Sequence, residues 1–268
     1  MNIKMLTACL LGCLLISNLI YAGTEKPTGG RYDLALDPVA TVNFVFNTPS
    51  TPQQQQAKDI VQHSSMLATI KHLSQTRFIF APSLDIVFGG NRGPYYNSTQ
   101  QLIQIPYQYI TQLLQHVTDS GRYPTQQQHH QATIDALLLT LLYEIGHVYI
   151  LERAIPILGY SENTVDNFVT ILLLNDIDRG DQIAINSNHL FSIDTFSQSA
   201  LKNNPFIQQH ALNQQRYQRI LCLVYGSNPA RYQRLFDNYS ISHRQQQQQL
   251  CQETFSTTHK GWLYYFDN

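Results

Sequence analysis

The stretch Leu142-Tyr143-Glu144-Ile145-Gly146-His147-Val148 decides how this chain is read, and fifteen residues beyond His147 comes Glu162, followed by Asp166. Residues four apart on an α-helix share a face. Two histidines in the pattern H-E-x-x-H can therefore hold one Zn²⁺ while the Glu between them polarises a water bound to the metal. Here His147 takes the second histidine position, Glu144 takes that of the general base, and Tyr143 stands in the first. The flanking sequence is helical: Ile134, Leu137, Leu138, Leu141, Leu142, Ile145 and Val148 give an apolar face from Ile134 to Ile150, which Glu144 and His147 interrupt.

Leu158-Gly159-Tyr160 breaks that helix, and Ser161 reads as the N-cap of a second one from Glu162 to about Asn175. Glu162 and Asp166 lie one turn apart on its face. Carboxylates in a first turn are often no more than a solvated face favoured by the helix dipole, and Glu-x-x-His inside a helix is common. What singles these residues out is their order: a helix bearing Glu144 and His147, a Gly-containing turn, then Glu-x-x-x-Asp on the next helix.

On these residues the chain resembles a bacterial family of inferred zinc metallopeptidases of the gluzincin type, catalogued as a domain of unknown function. The resemblance covers most of the chain beyond its N-terminal segment. It is carried by Leu141-Leu142-Tyr143-Glu144-Ile145-Gly146-His147, where the family has His in the Tyr143 place, and by Ile155-Pro156-Ile157-Leu158-Gly159-Tyr160-Ser161-Glu162-Asn163-Thr164-Val165-Asp166-Asn167-Phe168. His210-Ala211-Leu212-Asn213-Gln214-Gln215-Arg216-Tyr217 and Ile220-Leu221-Cys222-Leu223-Val224-Tyr225-Gly226-Ser227-Asn228-Pro229 resemble its C-terminal signature. Gly93-Pro94-Tyr95-Tyr96-Asn97, leading into Leu102-Ile103-Gln104-Ile105-Pro106-Tyr107, resembles the strand before its active helix.

The resemblance implies an α+β, zincin-like fold, mostly helical, with a small β-sheet packed beside the active-site helix. It implies zinc as cofactor, His147 and Glu162 as ligands, Glu144 as general base, Asp166 as a carboxylate behind the ligands, and a peptide or protein as substrate or ligand. His210 is the candidate donor to a tetrahedral intermediate; a His at a helix start also serves structural roles.

Tyr143 has three accounts. It marks a pseudoenzyme that binds a peptide or protein in the old cleft, or it is an unusual third metal ligand, or it hydrogen-bonds Asp166 and keeps the helix pair packed without metal. As a ligand it would have to lose a proton whose ordinary pKa is about 10. Its Oη also lies about 2 Å further from the backbone than imidazole Nε2, where metal sites tolerate about 0.2 Å. Arg216 has two candidate partners, a carboxylate of the site and Asp237.

The chain of 268 residues, 43% hydrophobic, is long enough to bury one sizeable core. A net charge of −1 argues against a general nucleic-acid binder, and only 13% of residues are charged, so electrostatic steering of any partner is weak. Lys4, the apolar stretch Met5 to Ile20 and the end Ile20-Tyr21-Ala22 read as a signal peptide over residues 1–22, followed by a Gly- and Pro-rich leader over 23–38 and one metallopeptidase-like domain over 39–268. The expectation is an exported protein, periplasmic or secreted, with no membrane span after the signal. Leu10-Leu11-Gly12-Cys13 faintly resembles a lipidation box, but the apolar residues continue past it. Export leaves Cys222 and Cys251, which suit one disulfide contributing about 3 to 4 kcal/mol; two buried thiols are the alternative.

Alternation predicts strands at Thr41 to Asn47, Leu84 to Phe88 and Leu102 to Pro106, and apolar spacing predicts helices at Pro52 to Ser74, Tyr107 to Val117, Asp194 to Asn203 and Gln209 to Gly226. The run Gln126 to His130, with its His129-His130 pair, reads as a solvated loop, and Gln245 to Gln249 as an exposed face of a C-terminal helix.

Overall fold

Branched and aromatic residues set the sheet. In the computed structural model, which describes residues 42–78, 80, 83–157, 161–191, 214–237 and 240–266, β1 (Asn43–Phe46), β2 (Asp85–Phe88), β3 (Tyr95–Asn97) and β4 (Leu102–Ile105) form one mixed sheet in the order β1-β2-β4-β3. The segments 1–22 and 23–38, Cys13, the Leu158-Gly159-Tyr160 break, the Asp194 to Asn203 helix and His210 lie outside the described residues. Strands β1, β2 and β4 run parallel, and β3 pairs antiparallel with β4. Alternate residues enter the core, as a period of two requires: Ile86 and Phe88 on β2, Ile103 and Ile105 on β4, all fully buried. Phe46 stacks on Phe88 with ring centroids 4.8 Å apart.

Strand β3 is the element that alternation did not reveal, because three half-buried residues carry no period. The preceding glycines build it. At Gly93 φ is +110° and a Cβ would stand 2.6 Å from the carbonyl oxygen of Gln104, so the turn closes only around glycine. The Gln104 side chain fills the turn, donating to the Gly89 carbonyl at 3.1 Å and accepting from the Tyr95 hydroxyl at 3.2 Å.

The helix expected from Pro52 to Ser74 is two, α1 (Pro52–Gln62) and α2 (Met66–Thr76). Between them the His63 ring engages the Asp59 carbonyl at 2.7 Å and the Ser64 hydroxyl donates to the Val61 carbonyl at 2.7 Å, local bonds that compete with helix continuation. Helix α3 spans Tyr107–Asp119 and α4 spans Gln126–Glu152. The run Gln126 to His130 is therefore the start of α4 rather than a loop. A capping box fixes it: Thr125 accepts from the Gln128 amide at 3.3 Å and the Gln128 side chain accepts from the Thr125 amide at 3.1 Å.

Helix α4 is long and apolar enough to cross a membrane by length and composition, but most of its apolar stretch is buried inside the protein. Around it pack α3, β3, α5 (Ser161–Asp176) and α6 (Gly180–Leu190). Helix α7 (Gln214–Ser227) follows, then a 3₁₀ turn at Gln233–Phe236 and α8 (Ile241–Phe266). Cys222 of α7 and Cys251 of α8 form the expected disulfide. Beside it, a Cβ on Gly226 would meet the Cys251 carbonyl oxygen at 2.3 Å, so the two helices touch backbone to backbone. The far end of α8 lays Trp262 and Phe266 against Phe168 of α5, centroids 5.2 and 5.7 Å apart, and the Tyr149 hydroxyl of α4 donates to the Tyr265 carbonyl at 2.7 Å. The protein is thus mostly helical with a small sheet, an α+β arrangement.

Helices α4 and α5 approach closely at Gly146, where an added Cβ would lie 2.8 Å from the Phe168 ring and 3.0 Å from Val165. Phe168 is buried and held between other aromatic rings, so it cannot swing aside. Gly146→Ala gains about 1 kcal/mol of helix propensity but overpacks this contact at a cost of about 1–3 kcal/mol. The expected outcome is a net loss of about 1 kcal/mol in chemical denaturation, against the gain the same change gives on an exposed helix.

A second joint ties α6 to the chain after α7: Asp181 accepts from the Tyr232 hydroxyl, from the Gln182 amide at 2.8 Å and from Arg231 at 2.9 Å. Burial alone would raise the Asp181 carboxyl, yet these partners hold it below the ordinary carboxylate range. Burial and that carboxylate push Tyr232 up to about 12. The Asp181 contribution to stability is thus present above its unfolded value near 4 and lost as pH falls through the folded one; the Tyr232 contribution is present below about 10 and lost as pH climbs toward 12. Thermal melts across pH should show both losses shrink in Asp181→Asn.

Candidate functional site

One face of α4, the first turns of α5 and the start of α7 meet in a single buried cluster. Tyr143 and His147, four residues apart on α4, stand edge to face with ring centroids 5.0 Å apart. Glu162 and Asp166 come from the matching face of α5, brought within reach by the Gly146 contact. Arg216 enters from α7 and is 4% exposed. The Tyr143 hydroxyl donates to Oε2 of Glu162. Glu162 Oε1 stands 3.8 Å from Nε2 of His147.

Arg216 organises the rest. Its Nε and Nη2 donate to the two oxygens of Asp166, both at 2.7 Å, a bidentate pairing. Nη2 also donates to the Tyr143 hydroxyl oxygen at 2.9 Å, Nη1 lies 3.8 Å from Oε2 of Glu162, and the guanidinium sits 5.4 Å from the Tyr143 ring centre. Asp166 is therefore turned to Arg216, which stands between it and Tyr143; the direct Asp166–Tyr143 bond considered above is replaced by a relay. Burial pushes the Asp166 carboxyl above its ordinary range, Arg216 opposes that by hydrogen bonding and charge, and neighbouring Glu162 adds to the rise. Asp237, the other candidate partner of Arg216, pairs with Arg244 at 3.5 Å instead.

Glu144 is buried one residue further along α4, close enough to Tyr109 of α3 to add to the rise that burial imposes on that phenol, whose hydroxyl is 2.8 Å from Thr140. His210 lies outside the described residues. The structure thus brings together Tyr143, His147, Glu162 and Asp166 as the sequence order implied, and adds Arg216. No spacing rule announces a partner fifty residues from Asp166; only the similarity of the His210 to Tyr217 stretch to the family's C-terminal signature drew attention to it.

A hydrolytic zinc site uses three protein ligands and leaves one position for water. Among the described residues no three His, Cys, Asp or Glu side chains gather in a way that could hold a metal ion. His147 and Glu162 face each other as two such ligands would, but the third place belongs to a phenol already bonded to Glu162 on one side and to a guanidinium on the other. These residues do not fit a zinc centre of the H-E-x-x-H kind.

Residues 46–266 match a family model described as "Putative metallopeptidase", a domain of unknown function, and the chain belongs to that family. No curated protein and no solved structure matches it.

Because Arg216 is always protonated and fully enclosed, removing it strands a buried carboxylate, a loss of about 3–5 kcal/mol. Arg216→Met should lower unfolding free energy by about that amount in urea titrations, and Tyr143→Phe by about 1–3 kcal/mol for the lost donor to Glu162. Combined, the two changes should fall short of additivity, since they act on one network.

Proposed function

We propose that this chain is an exported, zincin-fold member of its metallopeptidase family whose hydrolytic centre has become a metal-free hydrogen-bonded network, leaving a non-catalytic protein that binds a peptide or protein in the old cleft. The observation that carries this reading is the Tyr143 hydroxyl held between Glu162 and Arg216. Its proton goes to Glu162 and its oxygen accepts from Arg216, so a metal entering this position would have to break both bonds. Recognition fits the terminal strand β3, which pairs with β4 on one edge and lies beside α4; an extended peptide could add to its other edge through main-chain bonds. The zincin assignment draws support from the same arrangement, an antiparallel end strand next to the helix that carries Glu144 and His147. Export is supported by the sequence of residues 1–22 and is compatible with the Cys222–Cys251 disulfide.

One observation favours a second reading, a working zinc peptidase in which Tyr143 ligates as phenolate: a guanidinium 2.9 Å from the phenol oxygen stabilises negative charge there. In that case Glu144 would be the general base and zinc the Lewis acid.

Zinc content of the protein purified without chelator separates the two. The expected result is far less than one zinc per chain in the native protein and about one in Tyr143→His, which restores a three-ligand set. Peptidase assays with added zinc should be blank for the native chain. One equivalent of zinc with turnover in the native chain would establish the second reading instead.

A further inference from the structure

We infer that Tyr143 is a plug: its hydroxyl occupies the seat of the cation itself, so the site is closed to metal rather than merely short of a ligand. The inference rests on the reading above, that the α4–α5 pair derives from a metal centre, and goes beyond it in saying what fills that centre.

The argument is one of reach. A histidine at position 143 would place Nε2 about 2.0–2.1 Å from a zinc ion. A tyrosine on the same backbone carries its Oη about 2 Å further out than that nitrogen, which is the length of the missing metal–ligand bond. The phenol oxygen should therefore fall near the ion's own position, in direct contact with the side chains that would have been its ligands. The contacts agree. The hydroxyl donates to Glu162, the carboxylate the pattern assigns to the metal, and the same ring packs edge to face on His147, the histidine the pattern assigns to it. Nothing about a simple loss of a ligand requires this: a smaller residue, or a tyrosine turned elsewhere, would not set an oxygen against Glu162 and a ring against His147.

The plug is also held in place. Behind the oxygen, Arg216 Nη2 donates at 2.9 Å, and Arg216 is itself fixed by two 2.7 Å bonds to Asp166. Tyr143 is buried, 9% exposed as a residue, so the ring cannot rotate into solvent without opening the α4–α5–α7 contact. An incoming divalent cation would have to displace a neutral hydroxyl from Glu162 while approaching a guanidinium whose Nη1 lies 3.8 Å from the same oxygen.

A plug and an absent ligand make opposite predictions for truncation. If Tyr143 only fails to ligate, or ligates weakly, removing its side chain cannot improve metal affinity. If it blocks the seat, removal should improve affinity although no ligand is added, because water can complete the shell around His147 and Glu162. The experiment is calorimetric titration with Zn²⁺ and spectroscopic titration with Co²⁺ of the full chain and of Tyr143→Ala, Tyr143→Ser and Tyr143→His, each checked for its fold by circular dichroism and thermal melting. The expected order of affinity is His tightest, then Ser and Ala, then the native chain, with Ala and Ser exceeding the native chain by about tenfold or more. Imidazole added to the Ala variant should tighten Co²⁺ binding further and shift its visible spectrum toward four-coordinate absorption, since it supplies the missing nitrogen. Ala and Ser variants that fold and bind no more tightly than the native chain, while His binds, would overturn the plug and leave the lost-ligand reading standing. A folded His variant that binds no metal would overturn that reading, and the plug with it.

Discussion

A buried guanidinium is the constraint around which this protein is arranged. Arg216 keeps its charge at any pH a protein survives, and taking that charge out of water is costly unless carboxylates meet it with good geometry. Asp166 does so with both oxygens at 2.7 Å, and Glu162 lies 3.8 Å from a third nitrogen. Because the two carboxylates belong to α5 and the guanidinium to α7, the pairing fixes how those helices sit, and the Tyr143 bond extends the same network to α4. Three helices are thereby positioned by one side chain, which explains how polar groups can occupy the middle of an otherwise apolar bundle.

That arrangement needs α7 to stay where it is, and α8 supplies the means. The disulfide joins Cys222, six residues beyond Arg216, to Cys251, and the backbone contact at Gly226 brings the two helices as close as they can come. Further along, Trp262 and Phe266 rest on Phe168, and Tyr149 bonds the Tyr265 carbonyl, so α8 spans the two helices that carry the remaining site residues. A crosslink placed there restricts the unfolded chain, and in the folded chain it ties the guanidinium's helix to the strap that covers α4 and α5.

Much of this was legible in the sequence, and the parts that were not have specific causes. The i,i+4 spacing of Tyr143 and His147, and of Glu162 and Asp166, put each pair on one helix face, which the structure bears out. The disulfide followed from an even pair of cysteines in a chain with an export-type start. Arg216 was visible as a partner either of a site carboxylate or of Asp237, and the sequence left that choice open, because pairing across fifty residues of chain is decided by how α5 and α7 pack, and no local period encodes that. The start of α4 was misread because glutamines and histidines look like a loop by composition; Thr125 and Gln128 carried the contrary signal as a capping box. Helix α6 escaped because it is weakly periodic, and strand β3, only three residues long, was signalled by the family resemblance of its stretch and not by alternation. For the long span from Pro52, apolar periodicity ran through the break, and only the side-chain bonds of His63 and Ser64 end α1.

The choice of residue at position 143 follows from charge. Counting only the formal charges of Arg216, Glu162 and Asp166, a zinc ion would give a surplus of one positive charge, and without the ion the three side chains carry a deficit of one. Phenylalanine would fill the space but lack the hydroxyl that donates to Glu162. Tyrosine supplies volume, reach and one proton, and its oxygen still accepts from Arg216, so both polar neighbours are satisfied by a neutral side chain. A buried carboxylate that has lost a dication can be tolerated if a hydrogen-bond donor takes the dication's place. On the proposed reading, tyrosine at position 143 does more than omit a ligand: it gives Glu162 a hydrogen-bond donor and Arg216 an acceptor inside the packed helices.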